Sequence, residues 1–141
     1  MAIITVKQYG YEKAASPDSL DSGRLANCIA VGALDGENAY MVHEPSYAWD
    51  KSSALDNMLN ELKRTEKPKI YIAGGSIPKF VMLKDMVTES RKKVLERIAQ
   101  AGFSVEETRW GKDGFVSFLS LAPGQQAVFR EEENTREKYY C

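Results

Sequence analysis

Cys28, His43 and Ser22 are the residues whose types and spacing could support nucleophilic catalysis. Cys28 stands where a polar loop gives way to a run of apolar residues, a position from which a core-forming strand can present a thiol. An imidazole beside a thiol can form the thiolate–imidazolium couple that makes cysteine nucleophilic near neutral pH. A third group usually orients the imidazole in such a pair, and Ser22 is the candidate here, with Asp21 and Glu44 as competitors.

Each of these residues also has an ordinary structural interpretation. A single cysteine beside isoleucine and valine is often a small core residue. A single histidine is often a hydrogen-bonded structural residue, and a loop serine commonly bonds the local backbone. From residue types alone, these interpretations remain open beside the catalytic one.

The elements around Cys28 and His43 predict a β-hairpin. Residues 26–34 are almost continuously apolar, and residues 38–43 indicate a second strand. Asp35-Gly36 between them supplies the residue types of a tight reversal. A reversal centred on that dipeptide places Cys28 and His43 directly across from each other, with Cβ atoms about 4.5–5.5 Å apart.

The rest of the chain predicts an α+β fold. We expect further strands over residues 2–7, 69–73, 103–110, 115–121 and 126–129, a loop over residues 8–22, and helices following Asp50-Lys51-Ser52 and spanning residues 88–101. Hairpins thus outnumber helical crossovers among about seven strands, which favours α+β over a doubly wound sheet. Gly74-Gly75-Ser76 lacks the phosphate-loop pattern, and a tight strand exit explains its glycines better.

Length and composition restrict the organisation of the chain. The 141 residues, 43% hydrophobic and 28% charged, predict one domain over residues 1–129, followed by a charged, flexible tail over residues 130–141. A net charge of −1 without a basic stripe argues against nucleic acid as a partner.

Cysteine and histidine counts and the apolar runs predict the compartment. Cys28 and Cys141 are too few for a disulfide framework, so a reducing, cytoplasmic location is expected. With a single histidine and no ligand spacing, no metal site is predicted. The sequence also lacks a signal-peptide core and any run long enough for membrane insertion.

The chain resembles the CheD family of chemoreceptor glutamine deamidases and, more distantly, the catalytic domain of the cytotoxic necrotizing factor toxins. Ser22, Cys28 and His43 occupy the places of the family's threonine, cysteine and histidine. The resemblance continues through the strand that ends in Gly74-Gly75 and through the late helix and strands to Val128, covering roughly residues 22–129. The chain departs from the family pattern at two places. After His43, the segment His43-Glu-Pro-Ser-Tyr47 is shorter and more polar than the family's apolar stretch ending in Leu-Pro. The loop that follows Gly75 also differs.

The resemblance implies a layered α/β sandwich of mixed, largely antiparallel strands flanked by two main helices. It implies a cofactor-free thiol hydrolase that converts a glutamine side chain of a target protein to glutamate, in chemotaxis or as an effector. Backbone N–H groups of Asn27 and Cys28 would stabilise the oxyanion. The substrate mouth would be formed by Glu44, Tyr47, Gly74, Gly75 and Ser76. A catalytically inactive binding module, a transglutaminase and a peptidase are the alternatives.

Overall fold

The computed structural model describes residues 1–79 and 81–135, with the backbone alone at residues 81 and 82. In this part of the chain, nine strands form two sheets: β1 (Ile3–Thr5), β2 (Gly10–Ala15), β3 (Ser19–Asp21), β4 (Ile29–Leu34), β5 (Asn38–Glu44), β6 (Lys69–Gly74), β7 (Val105–Trp110), β8 (Phe115–Leu121) and β9 (Val128–Glu133). The helices are a 3₁₀ helix (Ser46–Lys51), α1 (Ser53–Leu62) and α2 (Val81–Gln100).

The larger sheet has the strand order β2-β5-β4-β6-β7, and the smaller one has the order β1-β3-β8-β9. Pairing in the larger sheet is antiparallel except between β6 and β7, which α2 connects as a crossover. In the smaller sheet, only β1 and β3 run parallel. The α+β fold with mixed, largely antiparallel strands is therefore confirmed.

Two cores lie on opposite faces of the larger sheet, because successive strand residues point to opposite sides. One face packs against the helices through a cluster of large apolar residues that includes Ile29, Val31, Tyr40, Val42, Trp49, Leu55, Met58 and Ile98. The other face packs against the smaller sheet through a cluster that includes Cys28, Ala30, Ala39, Met41, Leu119 and Leu121. The molecule is thus layered as sheet, sheet and helices, in agreement with the predicted sandwich.

The two main helices were both predicted, one with an accurate start. Ser52 caps α1, since its side-chain oxygen accepts a hydrogen bond from the Leu55 N–H at 3.0 Å. The second helix was predicted from residue 88, but α2 starts at Val81.

The prediction of a loop over residues 8–22 is wrong, because β2 and β3 lie within it. All six residues of β2 pair with β5 at the edge of the larger sheet, although the sequence of β2 does not alternate in polarity. Main-chain pairing with β5 gives β2 an extended conformation that its residue types do not predict.

The flexible tail predicted over residues 130–141 is also wrong at its beginning. Residues 130–133 belong to β9, an edge strand whose charged side chains remain in solvent while its main chain pairs with β8. Arg130 adds an ion pair to Asp21 at 3.2 Å. The rest of that prediction, from residue 136 onward, lies outside the described residues.

No helix in the described part of the chain combines the length and apolar character that crossing a membrane requires.

Candidate active site

The turn that leads into β4 is held through its main-chain carbonyl groups. The Ala26 oxygen accepts hydrogen bonds from both the N–H of Ser76 at 2.8 Å and the hydroxyl of Ser76 at 3.0 Å. The Cys28 oxygen accepts one from the Gly75 N–H at 2.8 Å. The segment after β6 therefore fixes both ends of the turn.

Ser46 fixes the middle of the same turn from the start of the 3₁₀ helix. Its hydroxyl donates to the Asn27 oxygen at 2.5 Å, and its own carbonyl accepts from the hydroxyl of Ser90 on α2. Ser46, Ser76 and Ser90 are all buried. The segment after β6 and the 3₁₀ helix thus hold the peptide groups that precede Cys28, and α2 in turn holds Ser46.

The strand exit at Gly74-Gly75 lies against this turn. Gly74 has φ +91°, and a Cβ atom built on it would lie 2.3 Å from the Cys28 carbonyl oxygen. A side chain cannot occupy that space, so the glycine allows β6 to approach the turn closely. Arg91 supports the exit from α2 by donating two hydrogen bonds to the Gly75 oxygen, at 2.9 and 2.6 Å.

Cys28 immediately precedes β4 and faces the smaller sheet. Its side chain is fully buried in the cluster between the two sheets. It is also disulfide-bonded, whereas the sequence predicted a reducing environment. Cys141, the second cysteine of the sequence, lies outside the described residues.

His43 lies on β5, on the face that Met41 and Ala39 also present to the smaller sheet. Its Nδ1 atom is 2.9 Å from the Val6 carbonyl oxygen, and a carbonyl only accepts, so Nδ1 carries the hydrogen. Burial lowers the pKa of His43, while the Val6 and Ser22 carbonyls act in the opposite direction. The lowered pKa favours the neutral ring. In the described part of the chain, Nε2 is buried and has no hydrogen-bond partner.

The predicted register of the hairpin is wrong: the turn is centred one residue later, which shifts the pairing by two residues. Ala30, not Cys28, pairs with His43, and the reversal is centred on Gly36-Glu37. The side chain of Asp35 determines this turn by accepting from the N–H groups of residues 37 and 38 at 2.9 and 2.7 Å. Cys28 and His43 therefore share a face as diagonal neighbours, a relation that places Cα atoms about 7–8 Å apart.

The side chain of Ser22 does not orient His43. Its hydroxyl accepts from the Leu119 N–H at 2.9 Å and donates to the Gly23 oxygen at 2.8 Å, which is the structural role expected of a loop serine. The carboxylate of Asp21, a competitor, is taken up by the Gly23 N–H and by two side chains of the smaller sheet. The contribution of Ser22 to the histidine comes from its carbonyl.

Val6 is the orienting residue that sequence reasoning missed. Its carbonyl group holds Nδ1 of His43, and its N–H donates to the Asp21 oxygen at 2.8 Å. A main-chain acceptor can come from any residue type, so no signal in the sequence could have identified it.

Glu44 lies on the wrong face for the role predicted for it. As the neighbour of His43 in β5, it points to the helices, where Ser52 and the charge of Arg97 partly offset the rise in its pKa caused by burial. Only 6% of its surface is exposed. Glu44 therefore neither orients His43 nor shares its face of the sheet.

The other members of the predicted substrate mouth divide between interior and surface. Gly74, Gly75 and Ser76 are buried and form the support of the turn. Tyr47 is 64% exposed and lines a cavity of about 280 Å³ together with Ser46 and other residues of the 3₁₀ helix and α2. Of the five predicted residues, Tyr47 alone is available to a ligand in solution.

The described residues contain no group of three or more histidine, cysteine, aspartate or glutamate side chains arranged to hold a metal ion.

The chain has a weak structural similarity to a solved protein domain. No protein-family model matches the chain, and no curated protein matches it significantly. The C-terminal domain of CNFy from Yersinia pseudotuberculosis is similar over 92% of this chain, with 16% sequence identity and a TM-score of 0.42. The chain spans 54% of the length of that structure.

Proposed function

We propose that this chain is a cysteine-dependent protein-glutamine deamidase in which Cys28 is the nucleophile and His43 the general base. The observation that carries the proposal is the state of His43. A buried neutral imidazole, whose Nδ1 donates to a carbonyl and whose Nε2 has no hydrogen-bond partner among the described residues, is the form that can accept a proton from a thiol.

Access to the thiol requires a reduced protein. In the disulfide-bonded form Cys28 has no proton to give, so the proposed activity belongs to the thiol form. The register places the two residues on one sheet face as diagonal neighbours, which keeps the thiol and the imidazole on the same side of the sheet.

The proposed reaction proceeds through a thioester. His43 takes the thiol proton, the Cys28 sulfur attacks the glutamine amide carbon, and ammonia leaves with a proton from the imidazolium. Water then attacks the thioester, with His43 again accepting a proton, and releases glutamate and the thiol. The N–H groups of Asn27 and Cys28 are the proposed donors to the oxyanion of both tetrahedral intermediates.

The choice of glutamine as substrate depends on the resemblance of Ser22, Cys28 and His43 to the CheD pattern. The Cys–His pair by itself would also serve a transglutaminase or a peptidase. Release of ammonia without a new cross-link or a cut chain distinguishes the deamidase from both.

A second candidate function is a binding module without catalysis. The complete burial of Cys28 and its disulfide favour this alternative, because neither suits a residue that must meet a substrate. It predicts that the reduced protein binds a partner and leaves every glutamine unchanged.

The test is to incubate the reduced full chain with casein as a glutamine-rich probe and with a mixed extract of cellular proteins, then measure ammonia and map glutamine-to-glutamate conversion by mass spectrometry. We expect conversion by the parent protein and a loss of at least about 10³-fold in Cys28→Ser. Cys141→Ser is the matched control, since it removes the other thiol, and it should retain activity. Equal conversion by Cys28→Ser and the parent would exclude Cys28 as the nucleophile.

A further inference from the structure

The peptide groups on both sides of Asn27 are fixed by buried hydroxyl groups. In a trans peptide the C=O and the following N–H point in opposite directions within one rigid plane. The Ala26 carbonyl belongs to the plane that carries the Asn27 N–H, and the Asn27 carbonyl belongs to the plane that carries the Cys28 N–H. Holding either carbonyl therefore determines where the corresponding N–H points.

We infer that Ser46 and Ser76 are positioning residues that aim these two N–H groups at the oxyanion. Ser46 holds the Asn27 carbonyl at 2.5 Å, and Ser76 holds the Ala26 carbonyl with its hydroxyl at 3.0 Å. This inference rests on the proposed function, since it assigns roles at the same site.

The surroundings of Ser46 make it the more important of the two. Its carbonyl is itself held by the hydroxyl of Ser90, so both ends of the residue are constrained between the turn and α2. Ser76 shares its task with its own N–H group, which donates to the same Ala26 oxygen at 2.8 Å. Loss of the hydroxyl should therefore disturb the oxyanion donors more at Ser46 than at Ser76.

Two small electrophiles distinguish the positioning of the oxyanion donors from changes in the access or basicity of the Cys28 thiolate. With p-nitrophenyl acetate, the Cys28 sulfur forms a bond to the acyl carbon through an oxyanion, and p-nitrophenolate leaves as the thioester forms. With iodoacetamide, the sulfur displaces iodide from a saturated carbon, and no oxyanion forms. Access to the site and basicity of the thiolate affect both rates, so their ratio reports on the oxyanion donors.

The experiment measures both rates in the reduced Cys141→Ser protein and in that protein carrying Ser46→Ala or Ser76→Ala. We expect the ratio of acylation to alkylation to fall about 10-fold or more in Ser46→Ala and by a smaller factor in Ser76→Ala, since removal of a whole donor costs about 10²–10³-fold. If Ser46→Ala does not fold, the smaller fall in the ratio of acylation to alkylation in Ser76→Ala tests the inference.

Thr65→Val is the matched control, because the Thr65 hydroxyl also donates to a main-chain carbonyl, that of Leu62, at 2.9 Å. It should leave the ratio unchanged. An unchanged ratio in the serine variants, or an equal fall in Thr65→Val, overturns the inference while fast alkylation of the parent keeps the proposed nucleophile. If the parent protein reacts no faster than an unfolded thiol, the proposed function fails and the inference fails with it.

Discussion

At the scale of single residues, the candidate site depends on one histidine whose protonation is set by its surroundings. Its Nδ1 atom is held by the Val6 carbonyl, and its burial opposes the charged form. In a Cys–His pair, the third group that orients the imidazole is usually a carboxylate or an amide. Here a main-chain carbonyl holds the ring without adding a negative charge.

The lowered pKa of His43 predicts a pH dependence of stability in the disulfide-bonded protein. The unfolded chain binds a proton at this residue below about pH 6.5, whereas the folded chain does not until a lower pH. The contribution is thus fully present above that pH and is lost as the pH falls toward the folded pKa, with a slope of at most about 1.4 kcal/mol per pH unit. Urea unfolding between about pH 5 and 8 measures it.

His43→Asn provides the comparison for this prediction. Its amide nitrogen can still donate to the Val6 oxygen, but the residue does not titrate. We expect the free energy of unfolding of this variant to vary less with pH in the same window. Parallel pH profiles for the two proteins would contradict the assignment of a lowered pKa to His43.

At the scale of secondary structure elements, the exit of β6 positions the turn before β4. The absence of a side chain at Gly74 lets the two segments meet, and the Gly75 N–H then holds the Cys28 carbonyl. The Gly-Gly sequence was recognisable as a tight strand exit, but the residues that converge on Asn27 were not. Ser46 and Ser90 are ordinary polar residues in sequence, and only the packing of the 3₁₀ helix against α2 brings them together.

Gly74→Ala and Gly102→Ala separate close approach from backbone strain, because both glycines have φ +91°. No described residue lies within 4 Å of a Cβ atom built at Gly102, whereas a Cβ at Gly74 meets the Cys28 oxygen. We expect Gly102→Ala to cost about 1–2 kcal/mol and Gly74→Ala about 1–3 kcal/mol more, as measured by urea unfolding. Equal decreases in the free energy of unfolding of the two variants would show that the close approach at Gly74 does not contribute to stability.

At the scale of the whole molecule, the sequence predicted what depends on local patterns. Apolar runs and helix caps identified seven strands and both main helices, because burial and capping leave traces in residue types. β2 and β3 were missed since their conformation depends on distant pairing partners, β5 for one and β1 and β8 for the other. Glu44 follows His43 directly in β5, so its side chain lies on the opposite face of the sheet. The sequence alone could have predicted this once Cys28 and His43 were assigned to one face.

The layered arrangement explains why the candidate site is at one end of the sandwich. The turn before β4, the end of β5 and the end of β6 all lie at that end. Val6 and Ser22, which directly follow β1 and β3 of the smaller sheet, contribute their carbonyl groups. The state of His43 therefore depends on residues next to the smaller sheet as well as on the larger sheet. The diagonal register follows from a single turn residue, Asp35, at the opposite end of the hairpin.

The most direct test of the central claim is the rate at which iodoacetamide alkylates Cys28 in the reduced Cys141→Ser protein, with and without His43→Asn, between about pH 5 and 9. A working pair predicts alkylation faster than in the urea-unfolded chain, with a pH step below the ordinary thiol value of about 8.5, and a loss of both in His43→Asn. Alkylation no faster than in the unfolded chain, and unaffected by the histidine variant, would contradict it.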